Sequence, residues 1–172
     1  IIIIMIRKFV NRKFELNFLN TRWKSKEFEF IVIYGRRRIG KTEFIKQFIR
    51  DKPHIYFLCD KRGTEDNIKR FKRNVASYLR EHEVATNDLE EIFEWLMEKI
   101  RGRIAVVFDE FSYLVEKDPA IPSVFQRVID NVLQNTRCFL ILCGSSMSMM
   151  EVGVLSHKSP LYGRKTGHLK ME

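Results

Sequence analysis

Short apolar runs recur along the chain and separate longer stretches whose apolar residues follow a helical period. Each run is rich in β-branched and aromatic residues and is bounded by glycine, proline or charged residues, a pattern typical of buried strands. These runs occupy residues 28–35, 54–60, 103–110 and 138–144, and "GHLKME" at 167–172 could begin a further strand.

The stretches between the runs predict helices. The first follows a glycine-rich segment and stops before Pro53, which cannot continue a helix. Another begins where Asp88 is followed three residues later by Glu91, the pattern of a capping box. Apolar residues at helical spacing predict helices over 42–49, 64–81, 88–100 and 122–135.

Strands that alternate with helices, and that are apolar throughout, predict a parallel sheet with helices on both faces. The predicted fold class is therefore α/β. The chain has 172 residues, of which 45% are hydrophobic, so residues 1–172 are expected to form one domain with a substantial core.

The loop after the first predicted strand, YGRRRIGKTEF, has the spacing G-x-x-x-x-G-K-T. Glycines let phosphate oxygens approach the backbone, and the N–H groups of the loop and of the following helix face the anion. The lysine would contact the terminal phosphates, and the threonine hydroxyl would bind Mg²⁺. The candidate nucleotide-binding residues are Gly35, Arg36, Arg37, Arg38, Ile39, Gly40, Lys41, Thr42 and Glu43, with Lys41 also a catalytic candidate and Thr42 a metal ligand.

The three arginines of the loop are open to several interpretations. Backbone amides hold the phosphates, so Arg36, Arg37 and Arg38 are free to vary. They could raise the local potential for an anion, or reach a neighbouring subunit or nucleic acid. A solvated basic surface is the simplest interpretation.

A carboxylate pair follows the third predicted strand in "IAVVFDEF". Parallel strands end at the same edge of the sheet, so Asp109 should lie beside Lys41 and Thr42. Asp109 would hold Mg²⁺ directly or through water. Glu110 would orient and deprotonate the attacking water. After the fourth predicted strand, the hydroxyl of Ser145 could bind the γ-phosphate or the water, although a serine-rich turn is the alternative.

The net charge of +9 is concentrated in residues 1–50, which carry 13 Lys or Arg and 4 Asp or Glu. Such a balance can indicate a phosphate ligand, an acidic membrane surface or nucleic acid. A solvated basic face beside a nucleotide site is favoured over a dedicated DNA-binding surface, because no element for reading bases is visible.

Cysteine and histidine patterns exclude two kinds of site. The three cysteines show no C-x-x-C pair, and the four histidines lack zinc-ligand spacing. Buried thiols in a reducing compartment, and hence a cytoplasmic protein, are expected. The opening "IIIIMI" is too short to span a bilayer, and no membrane partner is expected. Met5 is a candidate natural start, which would make Ile1–Ile4 an extension; the alternative is an edge strand.

Taken together, these segments resemble the archaeal-type ATPase family, part of the additional-strand, catalytic-glutamate class of P-loop NTPases. The similar segments are "FVNRKFEL" (9–16), "IVIYGRRRIGKTEFI" (31–45), "VVFDEFSYL" (106–114), "GSSMSMM" (144–150) and "LYGRKTGHLKME" (161–172). The resemblance implies a three-layer fold with strand order 5-1-4-3-2, and ATP with Mg²⁺ as the ligands. It also implies a helical lid and a winged-helix domain in longer members, neither of which fits within residues 1–172.

Further roles follow from this resemblance alone. Phe9, Val10 and Asn11 are similar to residues that flank adenine, Arg12 matches the arginine of the family's opening segment, and all four are candidate nucleotide-binding residues. Lys13 replaces the family's usual glutamate, so no capping or pairing role is assigned to it. Arg164 is a candidate for γ-phosphate contact, within its own chain or from a neighbour; the alternative is a loop cation that does not meet phosphate.

Three hypotheses of function remain open at this point. The first is a Mg²⁺-dependent ATPase core with a regulatory or mechanochemical task. The second is a nucleotide-dependent switch, with slow hydrolysis and a homo-oligomer or partner protein as its target. The third is a DNA-associated ATPase, motivated by the charge of residues 1–50.

Overall fold

The computed structural model describes residues 12–172; the predictions for residues 1–11, including an edge strand at Ile1–Ile4, lie outside the described residues. Its central feature is a parallel sheet whose strands follow the order β2-β3-β4-β1-β5. Read from the other edge, this is the predicted order 5-1-4-3-2, which is therefore confirmed. The strands are β1 (Glu29–Tyr34), β2 (His54–Leu58), β3 (Ile104–Asp109), β4 (Cys138–Gly144) and β5 (Gly167–Lys170).

Helices occupy the connections between the strands. The predicted helix start at Asp88 is confirmed, because its carboxylate accepts a hydrogen bond from the backbone N–H of Glu91. The helices are α1 (Lys13–Trp23), α2 (Lys41–Ile49), α3 (Thr64–Leu79), α4 (Leu89–Lys99), α5 (Ser112–Lys117), α6 (Ile121–Val128) and α7 (Met147–Met150). Wider π turns follow α6 at Ile129–Leu133 and α7 at Glu151–Leu155, and a 3₁₀ turn spans Tyr162–Arg164.

The sheet is buried on both faces, which gives the three predicted layers. Alternate strand residues point to opposite faces, so β1, β3 and β4 each contribute to two cores. On one face, Phe108 packs with aromatic residues of α3, α4 and α6. On the other face, Val107 and Ile141 lie beneath α1 and α2. Because both faces are apolar, the strands read as continuous hydrophobic runs in the sequence.

Several elements differ from the sequence-based expectation, among them the short helices α5 and α7, which were not predicted. Helix α1 was not predicted, because only Leu19 among its residues is fully buried and its apolar stripe is weak. The helix predicted over 122–135 is α-helical only to Val128 and continues as the π turn.

Candidate nucleotide site at the carboxyl edge of the sheet

The loop between β1 and α2 depends on two glycines. Gly35 has φ +151°, and a Cβ there would lie 2.2 Å from the carbonyl oxygen of Met171, just beyond β5. Gly40 has φ +87° and directly precedes α2. Side chains rarely adopt either conformation, so both glycines are required by the backbone path. The path leaves the start of α2 facing the loop, as an anion site requires.

Lys41 is 5% exposed and lies against the loop. Its ammonium Nζ donates hydrogen bonds to the carbonyl oxygens of Gly35 at 2.8 Å and Arg36 at 2.6 Å. The charge is therefore directed into the concave side of the loop. Charged phosphate oxygens are stronger acceptors than neutral carbonyls, so this ammonium is suited to an anionic ligand.

Thr42 and Asp109 meet, as the strand order predicts. The Thr42 hydroxyl donates to Oδ2 of Asp109 at 2.7 Å, and the Tyr56 hydroxyl donates to the same oxygen at 2.5 Å. The other oxygen, Oδ1, accepts from the backbone N–H of Glu110 at 2.8 Å. Asp109 is 1% exposed, so its carboxylate is held by three donors in a buried position.

The donor set at this point fits a magnesium ion. Mg²⁺ prefers oxygen ligands and is commonly held by one or two protein groups together with phosphates and water. The Thr42 hydroxyl and the Asp109 carboxylate supply such oxygens at the start of α2. Among residues 12–172, no group of three or more His, Cys, Asp or Glu side chains could hold a metal ion.

Glu110 has an unusual backbone conformation. Its φ of +54° lies in the left-handed region, which costs a non-glycine residue of order 1–3 kcal/mol and occurs preferentially at functional sites. The side-chain oxygen Oε1 accepts a hydrogen bond from the Ser145 hydroxyl at 3.0 Å. The structure thus brings Glu110 and Ser145 together with Asp109 at one edge of the sheet.

The loop arginines are exposed, as the solvated interpretation expects. Arg38 has φ +65°, so the middle of the loop is also left-handed. The Arg37 guanidinium donates to the hydroxyl of Tyr113 at 2.6 Å and lies 5.8 Å from the centre of its ring. Lys61 approaches the same ring at 5.4 Å. Tyr113 on α5 therefore contacts two cationic side chains, Arg37 and Lys61, beside the phosphate loop.

Arg12 forms hydrogen bonds both to the phosphate loop and to the segment that follows β5. Its guanidinium donates to the carbonyl oxygens of Ile39 at 3.3 Å and Glu172 at 3.0 Å, and it pairs with Glu15 at 3.2 Å. Arg12 therefore lies beside the phosphate loop. The expected adenine contacts at Phe9, Val10 and Asn11 lie outside the described residues.

Arg164 lies away from the phosphate loop of its own chain. It precedes β5, and Thr166, two residues further along the chain, donates its backbone N–H to the carbonyl oxygen of Phe30, near the start of β1. The loop begins after Tyr34, at the other end of that strand. At about 3.3 Å per residue, the length of β1 separates these two ends by roughly 17 Å.

The guanidinium of Arg164 has a defined partner in the structure. It makes two hydrogen bonds of 2.7 Å to the carboxylate oxygens of Asp130. The hydrogen bond from Arg164 lowers the pKa of Asp130. The side chains are 30% and 37% exposed, so the pair lies at the surface, where ion pairs contribute little stability.

The cysteines are free and buried, which confirms the predicted thiols. Burial raises the pKa of Cys138 to about 12, and burial followed by the charge of Asp109 raises the pKa of Cys143 well above its usual value. They are therefore packing residues. Within residues 12–172, no helix is both long and apolar enough to cross a membrane.

Two residues of the site were missed in the sequence. Tyr56 lies within a largely apolar strand, and Tyr113 lies three residues after Glu110. Neither has a motif of its own. The only available signal for Tyr56 was a polar hydroxyl in an otherwise buried strand, since such groups usually have a hydrogen-bond partner.

Comparison with protein families gives a match over residues 9–172 to the family described as ATPase domains predominantly from Archaea. A curated relative, the uncharacterized protein MJECL04 of Methanocaldococcus jannaschii, is 47% identical over 164 residues. The alignment covers 95% of this chain and 36% of the relative. The chain therefore spans much less than the full length of this relative.

Solved structures share the fold. The Walker-type ATPase PABY2304 of Pyrococcus abyssi superposes with a TM-score of 0.67 at 23% identity, covering 93% of this chain and 53% of that protein. The ORC2 protein of Aeropyrum pernix, solved with ADPNP and ADP, gives a TM-score of 0.70 at 15% identity and covers 93% of this chain and 47% of that protein. At these identities the likeness establishes the fold alone.

Proposed function

The chain belongs to the family of ATPase domains found predominantly in Archaea, and on this premise we propose that it binds ATP with Mg²⁺ and hydrolyses the terminal phosphate. The observation that carries the proposal is the junction of Thr42 and Asp109 through a 2.7 Å hydrogen bond. Those residues are far apart in the sequence: Thr42 lies in the first turn of α2, and Asp109 is the last residue of β3. Their meeting at the start of α2 is what a phosphate-bound metal needs.

The proposed roles follow from position. The backbone of residues 35–41 holds the β- and γ-phosphates, and the Lys41 ammonium neutralises their charge. Thr42 would bind the metal, and Asp109 would hold it in position. When bound, Mg²⁺ withdraws charge from the phosphate oxygens and fixes their geometry.

Glu110 completes the proposed reaction. Its carboxylate accepts a proton from water as the water oxygen forms a bond to the γ-phosphorus. The bond from that phosphorus to the bridging oxygen breaks, which leaves ADP and inorganic phosphate. Ser145 donates to Glu110 at 3.0 Å and thereby orients the base. Adenine is proposed from the family; the sequence contains no N-K-x-D signature for guanine.

Equilibrium binding and phosphate release in the same samples test this function. We expect the chain to bind ATP and ADP in preference to GTP, with tighter ATP binding in Mg²⁺ than in EDTA, and to release phosphate from ATP. Binding of ATP without any metal dependence would contradict the metal site. Equal binding of GTP would contradict the adenine assignment.

A nucleotide-dependent switch that acts through assembly is the second candidate. The observation that favours it is the position of Arg164, roughly 17 Å along β1 from the phosphate loop of its own chain. From this position Arg164 would reach the nucleotide of a neighbouring copy, once it had left Asp130. Hydrolysis would then be slow in a single chain and faster in an oligomer.

Mixing two inactive variants tests the second candidate. Arg164→Ala would bind ATP but lack the guanidinium, whereas a Lys41→Met chain would lack ATP but still offer Arg164. We expect the mixture to release phosphate faster than the two variants measured separately, with a larger apparent size on a sizing column in ATP. A phosphate-release rate of the mixture equal to the sum of the two separate rates would contradict action from a neighbouring copy. Asp130→Ala provides the control for loss of the ion pair.

Nucleic acid as a partner rests on charge alone. The cations of residues 1–50 include the exposed Lys24, Lys26 and Arg36. Binding to duplex DNA that weakens steeply with salt would be required, together with DNA stimulation of phosphate release. Salt-sensitive binding without stimulation would indicate charge attraction only.

A further inference from the structure

We propose that Tyr56 is a positioning residue of the metal site, whose hydroxyl holds the Asp109 carboxylate in place for the Mg²⁺ ion of bound ATP. This inference rests on the proposed function and adds a residue of β2 to it. No phosphate-loop or carboxylate motif includes this position.

Strand register explains how Tyr56 reaches Asp109. Tyr56 is paired with Val107 on β3, and Asp109 lies two residues further along that strand. Because strand residues two apart share a face, Tyr56, Val107 and Asp109 all point toward α2. Two residues of strand correspond to about 6.6 Å, a gap that a tyrosine side chain can span when it leans along the strand. The hydroxyl accordingly ends 2.5 Å from Oδ2 of Asp109.

The hydroxyl group of Tyr56, rather than its ring, is directed to the site. The ring contacts the apolar core beneath α2, and the Lys46 ammonium lies 5.3 Å from its centre. The hydroxyl donates its hydrogen bond to the Asp109 carboxylate, which can only accept one. A phenylalanine would preserve the ring contacts and remove only this donor.

The Asp109 carboxylate depends on the Tyr56 hydroxyl because its other side-chain donor, Thr42, would also bind the metal. Oδ2 of Asp109 accepts from both Thr42 and Tyr56, whereas Oδ1 accepts from the backbone of Glu110. The Thr42 hydroxyl would also offer a lone pair to the metal, which fixes its orientation. Tyr56 is then the side chain that holds Asp109 without being a ligand itself. Partners of this kind typically contribute to metal affinity through the ligand they orient.

A Mg²⁺ titration of nucleotide binding tests the proposal. Wild type and Tyr56→Phe are titrated with MgCl₂ at a fixed concentration of a fluorescent ATP analogue, and Mn²⁺ binding in the presence of ATP is followed by electron paramagnetic resonance. We expect the metal concentration at half-saturation to rise about 10- to 100-fold in Tyr56→Phe, the range typical of losing a partner that orients a metal ligand. High Mg²⁺ should restore nucleotide binding, because the phosphate loop is intact.

Tyr78→Phe is the matched control, since it removes the same atom from an exposed tyrosine of α3. It should leave the metal titration unchanged. A titration of Tyr56→Phe that coincides with wild type, or that shifts to lower Mg²⁺, would overturn the role of Tyr56. A melting temperature lowered with no shift in the titration would indicate packing alone. Failure of the wild type to bind the nucleotide would instead remove the proposed function, and this role with it.

Discussion

Replacing Lys41 by methionine is expected to lower ATP affinity by about 100-fold or more, the typical consequence of removing one partner from a buried, charge-assisted contact. Lys41 is 5% exposed, and its ammonium is directed into the loop that would hold the phosphates. Methionine keeps the length of the side chain and avoids a cavity. The dissociation constant is measured by titration of a fluorescent ATP analogue, with competition by unlabelled ATP.

Lys46→Met is the control for this prediction, because Lys46 is exposed one helical turn further along α2. It should bind ATP as the wild type does. The Lys41 ammonium also bonds to the carbonyls of Gly35 and Arg36, so thermal melting of Lys41→Met is followed alongside. A folded Lys41→Met variant with unchanged ATP affinity would show that this loop does not hold the nucleotide's phosphates.

Replacing Glu110 by glutamine is expected to separate binding from hydrolysis. Phosphate release should fall by about 100- to 10,000-fold, because a carboxamide has the shape of the carboxylate but cannot accept a proton from water. ATP affinity should stay close to that of the wild type, because the phosphate loop, Thr42 and Asp109 are unchanged. The amide oxygen can still accept the hydrogen bond from Ser145. Single-turnover phosphate release and equilibrium binding measure the two effects separately.

The exposed Glu116 on α5 provides the matching control, since Glu116→Gln makes the same chemical change away from the site. It should leave both binding and phosphate release unchanged. If Glu110→Gln binds ATP and releases phosphate at the wild-type rate, Glu110 is not the base. The base would then have to be sought among other groups at this edge of the sheet.

The architecture could be predicted from the sequence because its strongest signals are global. Apolar runs and intervening helical periodicity indicate a parallel sheet, and a family resemblance supplied the strand order that the sheet shows. The meeting of Thr42 and Asp109 followed from that topology, because strands β1 and β3 end at the same edge.

Other features depend on side-chain geometry that no spacing rule encodes. Tyr56 reaches Asp109 only through the register of β2 against β3, which the sequence does not specify. Similarly, Arg164 was a candidate for contact with phosphate in its own chain or a neighbour's. The pairing of β1 with β5 places it near the start of β1, and its guanidinium binds Asp130.

A crystal structure of the chain with a non-hydrolysable ATP analogue and Mn²⁺ in place of Mg²⁺ would test the central claim most directly. The anomalous signal of manganese locates the ion without reference to the protein. We expect a single manganese peak about 2.1 Å from the Thr42 hydroxyl and adjacent to Asp109, with the γ-phosphate beside Lys41 and a water molecule between it and Glu110. A nucleotide bound elsewhere, or a manganese ion that contacts neither Thr42 nor Asp109, would contradict the proposal that this edge of the sheet is an ATPase site.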